Sequence, residues 1–484
     1  MLNYILITPL IGIIFLMLNS SFNKLTDKII ALFTTSLTFV LSLYLWIFFD
    51  KSVGSFQFVT SFKWIPMLNF NLTIGVDGIS LFFLILTTLL TFLCVLASWN
   101  NILKNIKYYF IAFLILEFFL IIVFCVLDLL LFYIFFESVL IPMFLIIGLW
   151  GSRERKIRAA YFFFFFTLLG SVLMLLSILY LYYQVGTTDY EILLTVFLTQ
   201  KEQKVLWIAF FFSFAAKVPM LPVHVWLPEA HVEAPTAGSV ILAGILLKLG
   251  TYGIIRFLLP LFFKACLFYT PLVYSISIIG IIYTSLTAIR QTDFKRIIAY
   301  TSIAHMNLVI VGLFSFNSNG IEGAVLQSIS HGFISSALFL IIGVVYDRYH
   351  TRMIKYYSGL VHLMPIYTII FLFFTLANIG FPGTGSFIGE FLILLGSFIK
   401  NTTVTVLGAT GMVLGGCYSL WLYNRIAYGN IKTQYLKIFM DLNKREFFLF
   451  VPLIMGTFIM GIHPDLFLDV FKMSVYVLIE HTYN

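Results

Sequence analysis

Apolar runs of about 20 residues, separated by short polar loops, fill the chain from residue 2 onward. A run of that length crosses a bilayer as a helix. On that ruler the sequence predicts an all-α, polytopic membrane protein with about 14 transmembrane helices. They fall near residues 2–19, 29–49, 79–99, 108–126, 128–149, 160–184, 205–228, 236–259, 267–289, 296–315, 321–346, 362–398, 402–426 and 447–466. Helices 7 and 12 are discontinuous. Pro219 and Pro222 break the seventh, because a proline removes a backbone donor and clashes with the preceding turn. Pro382 and four glycines of GFPGTGSFIGEF, residues 380–391, break the twelfth.

The loop charges agree with this division. Lys24 and Lys28, Lys104 and Lys107, the Arg153–Arg158 cluster, Arg290 with Lys295 and Arg296, Arg348 with Arg352 and Lys355, and the 425–445 loop all follow odd-numbered spans. One sidedness satisfies them all. The positive-inside rule puts these loops on the matrix or cytoplasmic side and both termini on the other. Loops after even spans are mixed or acidic, as in Asp189, Glu191 and Glu202 against Lys201 and Lys204.

Lys217 and Glu390 each sit beside a break. Their separation nearly equals that between Glu137 in span 5 and His305 in span 10. A shift of five spans is odd, so two such copies are inverted in the membrane. Interrupted helices at matching positions of inverted repeats point to a transport site. The expected division is an N-terminal region (1–107), a first five-helix repeat (108–262), a second inverted repeat (263–430) and a C-terminal helix and tail (431–484).

Composition narrows the class. Of 484 residues, 61% are hydrophobic and 10% are charged, against about 25% charged in a soluble domain. No stretch is long and polar enough to form one. The net charge of +8 sits in short loops, which reads as topology and not as nucleic-acid binding. The four cysteines stand singly in apolar stretches, with neither metal spacing nor a disulfide framework. The N-terminal MLNYILITPLIGIIFL reads as the first span, lacking the marks of a transit or signal peptide. Abundant Phe, Ile, Tyr and Asn fit an AT-rich genome such as an organelle's, and equally plain membrane composition.

Several ionisable residues lie at membrane depth, where they are costly and default to a functional role. Glu137, in LFYIFFESVL, sits near the bilayer centre, either as a proton-holding acid or as a protonated structural group. Lys217, in FFSFAAKVPM, and Lys248, in LAGILLKLG, are candidate switchable proton carriers. The alternative is snorkelling to an interface. Lys248 lies twelve residues past Thr236, roughly 18 Å along a helix, too deep for easy snorkelling. His305 and His331 occupy mid-span positions among Thr301, Ser302, Ser328, Ser330, Ser335 and Ser336. A histidine relays protons through its two nitrogens; the alternative is a satisfied core histidine. Glu390 opens a half-helix, where the dipole favours a carboxylate, as a proton gate or a simple cap. His224 and His231 read equally as proton access to one surface or as loop packing. Glu117 reads equally as a proton site or a structural one. Asp128, Glu229, Glu233 and Glu322, near span ends, have solvated or capping roles as the default. The chain carries no dinucleotide motif, P-loop, CxxC pair or nucleophile triad.

KVPMLPVHVWLPEAHVEAPTAGSVILAGILLKLGTYG, with AYTSIAHMNL, SHGFISSALFL, GFPGTGSFIGEF and LWLYNR, resembles a known family. It is that of the antiporter-like membrane subunits shared by respiratory complex I, the proton-pumping NADH:ubiquinone oxidoreductase, and multi-subunit sodium/proton antiporters. The resemblance runs from Met1 to about His463. It implies two inverted five-helix bundles at spans 4–8 and 9–13. It implies a modulating pair, Glu137 and Lys217, a central carrier, Lys248, a histidine link, His331 and His305, and an exit residue, Glu390. NADH, FMN, iron–sulfur clusters and ubiquinone would bind partner subunits, with no cofactor or metal in this chain. Partners would be sister antiporter-like chains on both sides and membrane lipids, and no nucleic acid. The location would be the mitochondrial inner membrane, with the chain organelle-encoded. The competing readings are a sodium/proton antiporter subunit and a structural scaffold with a dead channel. A scaffold has no reason to bear deep Glu137, Lys217, Lys248 and Glu390.

Overall fold

The structure is a computed structural model that describes residues 1–19, 24–65, 69–435 and 440–483. Parts of two basic loops, at 20–23 and 436–439, lie outside these residues. Among the described residues, 11 helices are long and apolar enough to cross a membrane, and two shorter apolar helices, Leu2–Leu18 and Pro365–Ile379, accompany them. The expected count of about 14 differs at three places. Span 1 has 17 residues. Span 7 stops as a helix at Lys217 and resumes as Trp226–Glu233. Span 12 is split into Pro365–Ile379 and Gly385–Lys400 around Gly380, whose φ of 80° no ordinary helical residue adopts. Both breaks fall where proline and glycine predict them.

Burial separates an inner set of helices from an outer one. The most apolar windows of span 8 (Thr236–Leu261) and span 11 (Ser318–Tyr349) are fully buried within the protein. Those of Lys24–Ile47 and Thr402–Ala427 are only one-third buried. An apolar helix buried all round belongs to a core. The outer helices present Phe33, Leu169, Ile279 and Val413, all more than half exposed, as a lipid-facing belt. Spans 8 and 11 therefore form the axis that the others surround. They approach closely at Gly332, where a Cβ would come 3.1 Å from the Gly244 carbonyl oxygen and 2.6 Å from a Leu86 methyl. Gly332 follows His331 directly, so the close approach brings that histidine onto span 8.

Span 8 is not a uniform α-helix. Two π-helical turns, Leu242–Leu246 and Ile254–Leu258, bracket a short α-helical stretch, Leu247–Gly253. Such turns are rare and concentrate at functional positions.

Two elements go beyond the sequence reading. An antiparallel hairpin, β1 (Gln57–Ile65) and β2 (Phe70–Val76), with Thr60 opposite Ile74, precedes span 3. The C-terminal tail is a helix, Asp465–Tyr483. Its Asp469 pairs with Lys51 at 3.6 Å, and its Ser474 hydroxyl accepts from the Gly78 amide at 3.0 Å. The helix therefore lies along the face opposite the basic loops.

Candidate functional site

Span 8 carries the central lysine, and its first π turn shapes the surroundings. Lys248 is fully buried. Its Nζ donates to the Ala243 carbonyl at 2.6 Å, a residue in that π turn, and lies 2.8 Å from Nδ1 of His331 on span 11. Thr251 closes the next turn by donating to the Lys248 carbonyl at 3.0 Å. The lysine thus has one fixed backbone acceptor and one partner able to take its proton.

His331 faces His305 of span 10, with ring centroids 5.7 Å apart. Nδ1 of His305 lies 3.1 Å from Oε1 of Glu390 in the second half of span 12. Gly380, at the break, leaves room for that carboxylate: a Cβ there would sit 2.8 Å from Oε2 of Glu390. Gln327 donates to the same Oε1 at 3.0 Å. The sequence reading missed Gln327. Its position one turn before His331, at i, i+4 on the same helix face, was the available signal. Four of the predicted residues, Lys248, His331, His305 and Glu390, thereby form one buried file across spans 8, 11, 10 and 12.

Glu137 and Lys217 form a second group. Lys217 ends the first half of span 7, and its Nζ lies 3.5 Å from Oε1 of Glu137. The same Nζ donates to the Phe136 carbonyl at 2.5 Å and sits 3.1 Å from the centroid of the Phe136 ring. The carboxylate oxygens of Glu137 are buried and make no hydrogen bond, so the lysine is the partner that compensates them. Among the described residues, no hydrogen bond or ion pair joins Lys217 to Lys248.

His231 is fully buried, stacked on Phe339 at 4.7 Å, and neither ring nitrogen has a hydrogen-bond partner. His224 sits nearer the surface against Tyr283, ring centroids 6.1 Å apart. Among the described residues, no hydrogen bond or ion pair joins either histidine to the file. Glu117 accepts from the Thr38 hydroxyl at 2.7 Å, away from the file. Asp128 caps its helix by accepting from the Leu131 amide at 3.0 Å, as expected.

Glu233 departs from the solvated or capping role expected of it. It is buried and lies 3.4 Å from Nη2 of Arg352, whose Nε is 3.7 Å from Asp293. Arg352 also donates to the Val232 carbonyl. Nearby, Lys295 is buried and donates to the Ala234 carbonyl at 2.8 Å. This ionic knot ties the second half of span 7 to the basic-face loops. Loop arginines and lysines in a sequence read as solvated, so their burial here was not legible.

Among the described residues, no cluster of His, Cys, Asp and Glu could hold a metal ion. The file sets a lysine, two histidines and a carboxylate side by side, groups that can each bind or give up a proton.

Comparison with known proteins identifies the family and the fold. Residues 126–416 match the family described as NADH:quinone oxidoreductase/Mrp antiporter, TM. A relative from Marchantia polymorpha, described as NADH-ubiquinone oxidoreductase chain 4, is 56% identical over 480 residues, covering 99% of this chain and 97% of the relative. One of the same description from Arabidopsis thaliana is 58% identical with the same coverage. A chain in the structure titled respiratory complex I from Thermus thermophilus with bound NADH is 27% identical, superposes with a TM-score of 0.91, and is matched over 100% of both chains. The chain belongs to the NADH:quinone oxidoreductase/Mrp antiporter family of membrane subunits.

Proposed function

We propose that this chain is a core membrane-arm subunit of the proton-translocating NADH:ubiquinone oxidoreductase, and that it moves protons along Lys248, His331, His305 and Glu390. The observation that carries this reading is the buried file itself, with contacts of 2.8 Å at Lys248–His331 and 3.1 Å at His305–Glu390. Near full-length relatives described as NADH-ubiquinone oxidoreductase chain 4 support the assignment to that complex over a sodium/proton antiporter.

The mechanism follows from charge. When Glu137 moves away from Lys217, or its charge is met from a neighbouring subunit, the electrostatics felt along the bundle change. The Lys248 ammonium then releases a proton to Nδ1 of His331. His331 hands a proton from its other nitrogen toward His305, and Nδ1 of His305 delivers one to Oε1 of Glu390. Moving one charge against the membrane potential takes about 2.3 kcal/mol per 100 mV. A buried pair that breaks shifts charge energies by a comparable few kcal/mol, so the two are matched in size. His231 and His224 would connect the inner part of the path to the basic face.

In this reading the chain crosses the membrane fourteen times in two inverted five-helix repeats. It sits in the mitochondrial inner membrane between sister antiporter-like chains. NADH, FMN, iron–sulfur clusters and ubiquinone stay with partner subunits. The test is native electrophoresis of mildly solubilised membranes, with in-gel NADH dehydrogenase staining and mass spectrometry of the stained band. The chain is expected in a large particle that oxidises NADH. Recovery only in a smaller particle without that activity rejects the reading in favour of the antiporter.

A further inference from the structure

The second π turn of span 8 carries a charge that the proton file does not use. Arg256, in Ile254–Leu258, is buried, and its Nη2 lies 2.6 Å from Oδ1 of Asp77. Asp77 is buried too and caps span 3, its Oδ1 accepting from the Ser80 amide at 2.9 Å. The guanidinium is packed against the rings of Phe56, Tyr252 and Tyr190 at 4.8, 5.5 and 5.8 Å. It lies eight residues past Lys248, roughly 12 Å farther along the helix and toward the face opposite the basic loops.

On that face, the pair forms the floor of a cavity of about 360 Å³, whose wall includes Ser55, Glu191, Thr195 and Ser474. Ser55, Glu191 and Thr195 are exposed, so the cavity opens to the surface. The cavity mixes apolar walls with a charged floor and polar groups at its mouth, and at this size it has room and partners for several waters. Water on this side therefore reaches as far as Arg256, roughly 12 Å along the helix from the central lysine.

Between the cavity floor and Lys248 the interior is aromatic. Phe83, Phe124, Phe132 and Tyr252 are all essentially fully buried. Phe124 packs on Phe83 at 5.4 Å and on Tyr252 at 5.1 Å, and Phe132 on Phe257 at 4.5 Å. The two hydroxyls on this stretch of span 8 are committed to backbone. Tyr252 donates to the Phe124 carbonyl at 3.0 Å, and Thr251 donates to that of Lys248. Nε of Arg256 donates to the Tyr252 oxygen at 3.3 Å, which ties the ion pair to the plug. A dry hydrophobic constriction blocks protons as it blocks ions.

We propose that the Asp77–Arg256 pair is an outer latch, which holds the aromatic plug shut so that Lys248 cannot exchange protons directly with the face opposite the basic loops. The latch forces each proton on Lys248 sideways to His331. Without it, the cavity water and Lys248 would short-circuit the path and dissipate the gradient. Asp77 and Arg256 are positioning residues in this scheme, acting through Tyr252 and Phe124.

The inference rests on Lys248 being the carrier, and the experiment separates the two claims. The whole complex is reconstituted into vesicles, and passive proton conductance is measured under an imposed potential without NADH. Two variants are compared: the paired substitution Asp77→Asn with Arg256→Gln, which leaves no lone buried charge, and Tyr252→Leu, which opens the plug with the pair intact. Each is expected to raise conductance about tenfold, the change given by a barrier lowered by about 1.4 kcal/mol. Adding Lys248→Met to either is expected to return conductance to the wild-type level. A merely structural role would reduce assembly without this Lys248-dependent leak. The latch is overturned if neither variant leaks, or if the leak persists with Lys248→Met. An undiminished NADH-driven proton yield in Lys248→Met alone would instead overturn the proposed function.

Discussion

Replacing His331 with Leu breaks the buried file at its best-defined contact. In the native chain the Lys248 ammonium has two partners, the Ala243 carbonyl at 2.6 Å and Nδ1 of His331 at 2.8 Å. The variant keeps only the first. A hydrogen bond to a charged group is worth about 1.5–3 kcal/mol. The substitution also removes the imidazole that stands between Lys248 and His305, whose ring lies 5.7 Å from that of His331. A barrier raised by about 1.5–3 kcal/mol slows a step by about 10- to 150-fold. The loss is similar in size to the work of moving a charge through 100 mV, about 2.3 kcal/mol, so the driving force does not swamp it. Leu is apolar and close to His in size, so the packing penalty stays below about 1.5 kcal/mol and the complex should assemble. The assay is NADH-driven acidification of proteoliposomes, read with a pH-sensitive dye beside NADH consumption. Protons per NADH are expected to fall by this chain's share of the total. Wild-type yield and turnover in an assembled complex would refute the relay through His331.

Other substitutions separate neighbouring roles. Glu137→Gln leaves Lys217 buried without its ion-pair partner, and should lower coupled turnover while native gels still show the full particle. Gln327→Leu removes one of the two contacts to Oε1 of Glu390, and should depress proton yield less than Glu390→Gln does; a larger effect would give Gln327 a role of its own. Glu117→Gln keeps its bond from Thr38 and lies off the file, so proton yield should equal wild type. Arg352→Met removes the guanidinium that pairs with buried Glu233 and Asp293, at about 3–5 kcal/mol, and should cut the amount of assembled complex in membranes, measured by quantitative native gels.

The membrane class, the two helix breaks and the residues of the file were legible in the sequence for definite reasons. Proline and glycine break helices by local covalent geometry, so 217–226 and 380–384 were visible without tertiary information. A carboxylate or an ammonium in an apolar run stands out because lipid penalises it. The pairing of those groups needed the fold. His331 reaches Lys248 only because Gly332 and Gly244 let two helices approach, and no spacing rule encodes that. The π turns were invisible because Leu242–Leu246 and Ile254–Leu258 carry ordinary apolar helix sequence around one glycine and one arginine. The hairpin was missed because Gln57–Ile65 alternates only weakly and has one sheet neighbour. Arg256 and Asp77 went unremarked in the sequence, because the groups that surround them, Phe56, the helix Tyr190–Leu194 and the C-terminal helix, are far apart in the chain.

The central claim is that Lys248 carries the proton. Its most direct test is Lys248→Met in the intact complex, reconstituted in sealed vesicles, with protons translocated per NADH oxidised measured against wild type. Met keeps the length of the side chain and removes the exchangeable proton. The account predicts an assembled complex whose proton yield falls by the contribution of this chain. A complex that oxidises NADH with the wild-type proton yield would contradict it.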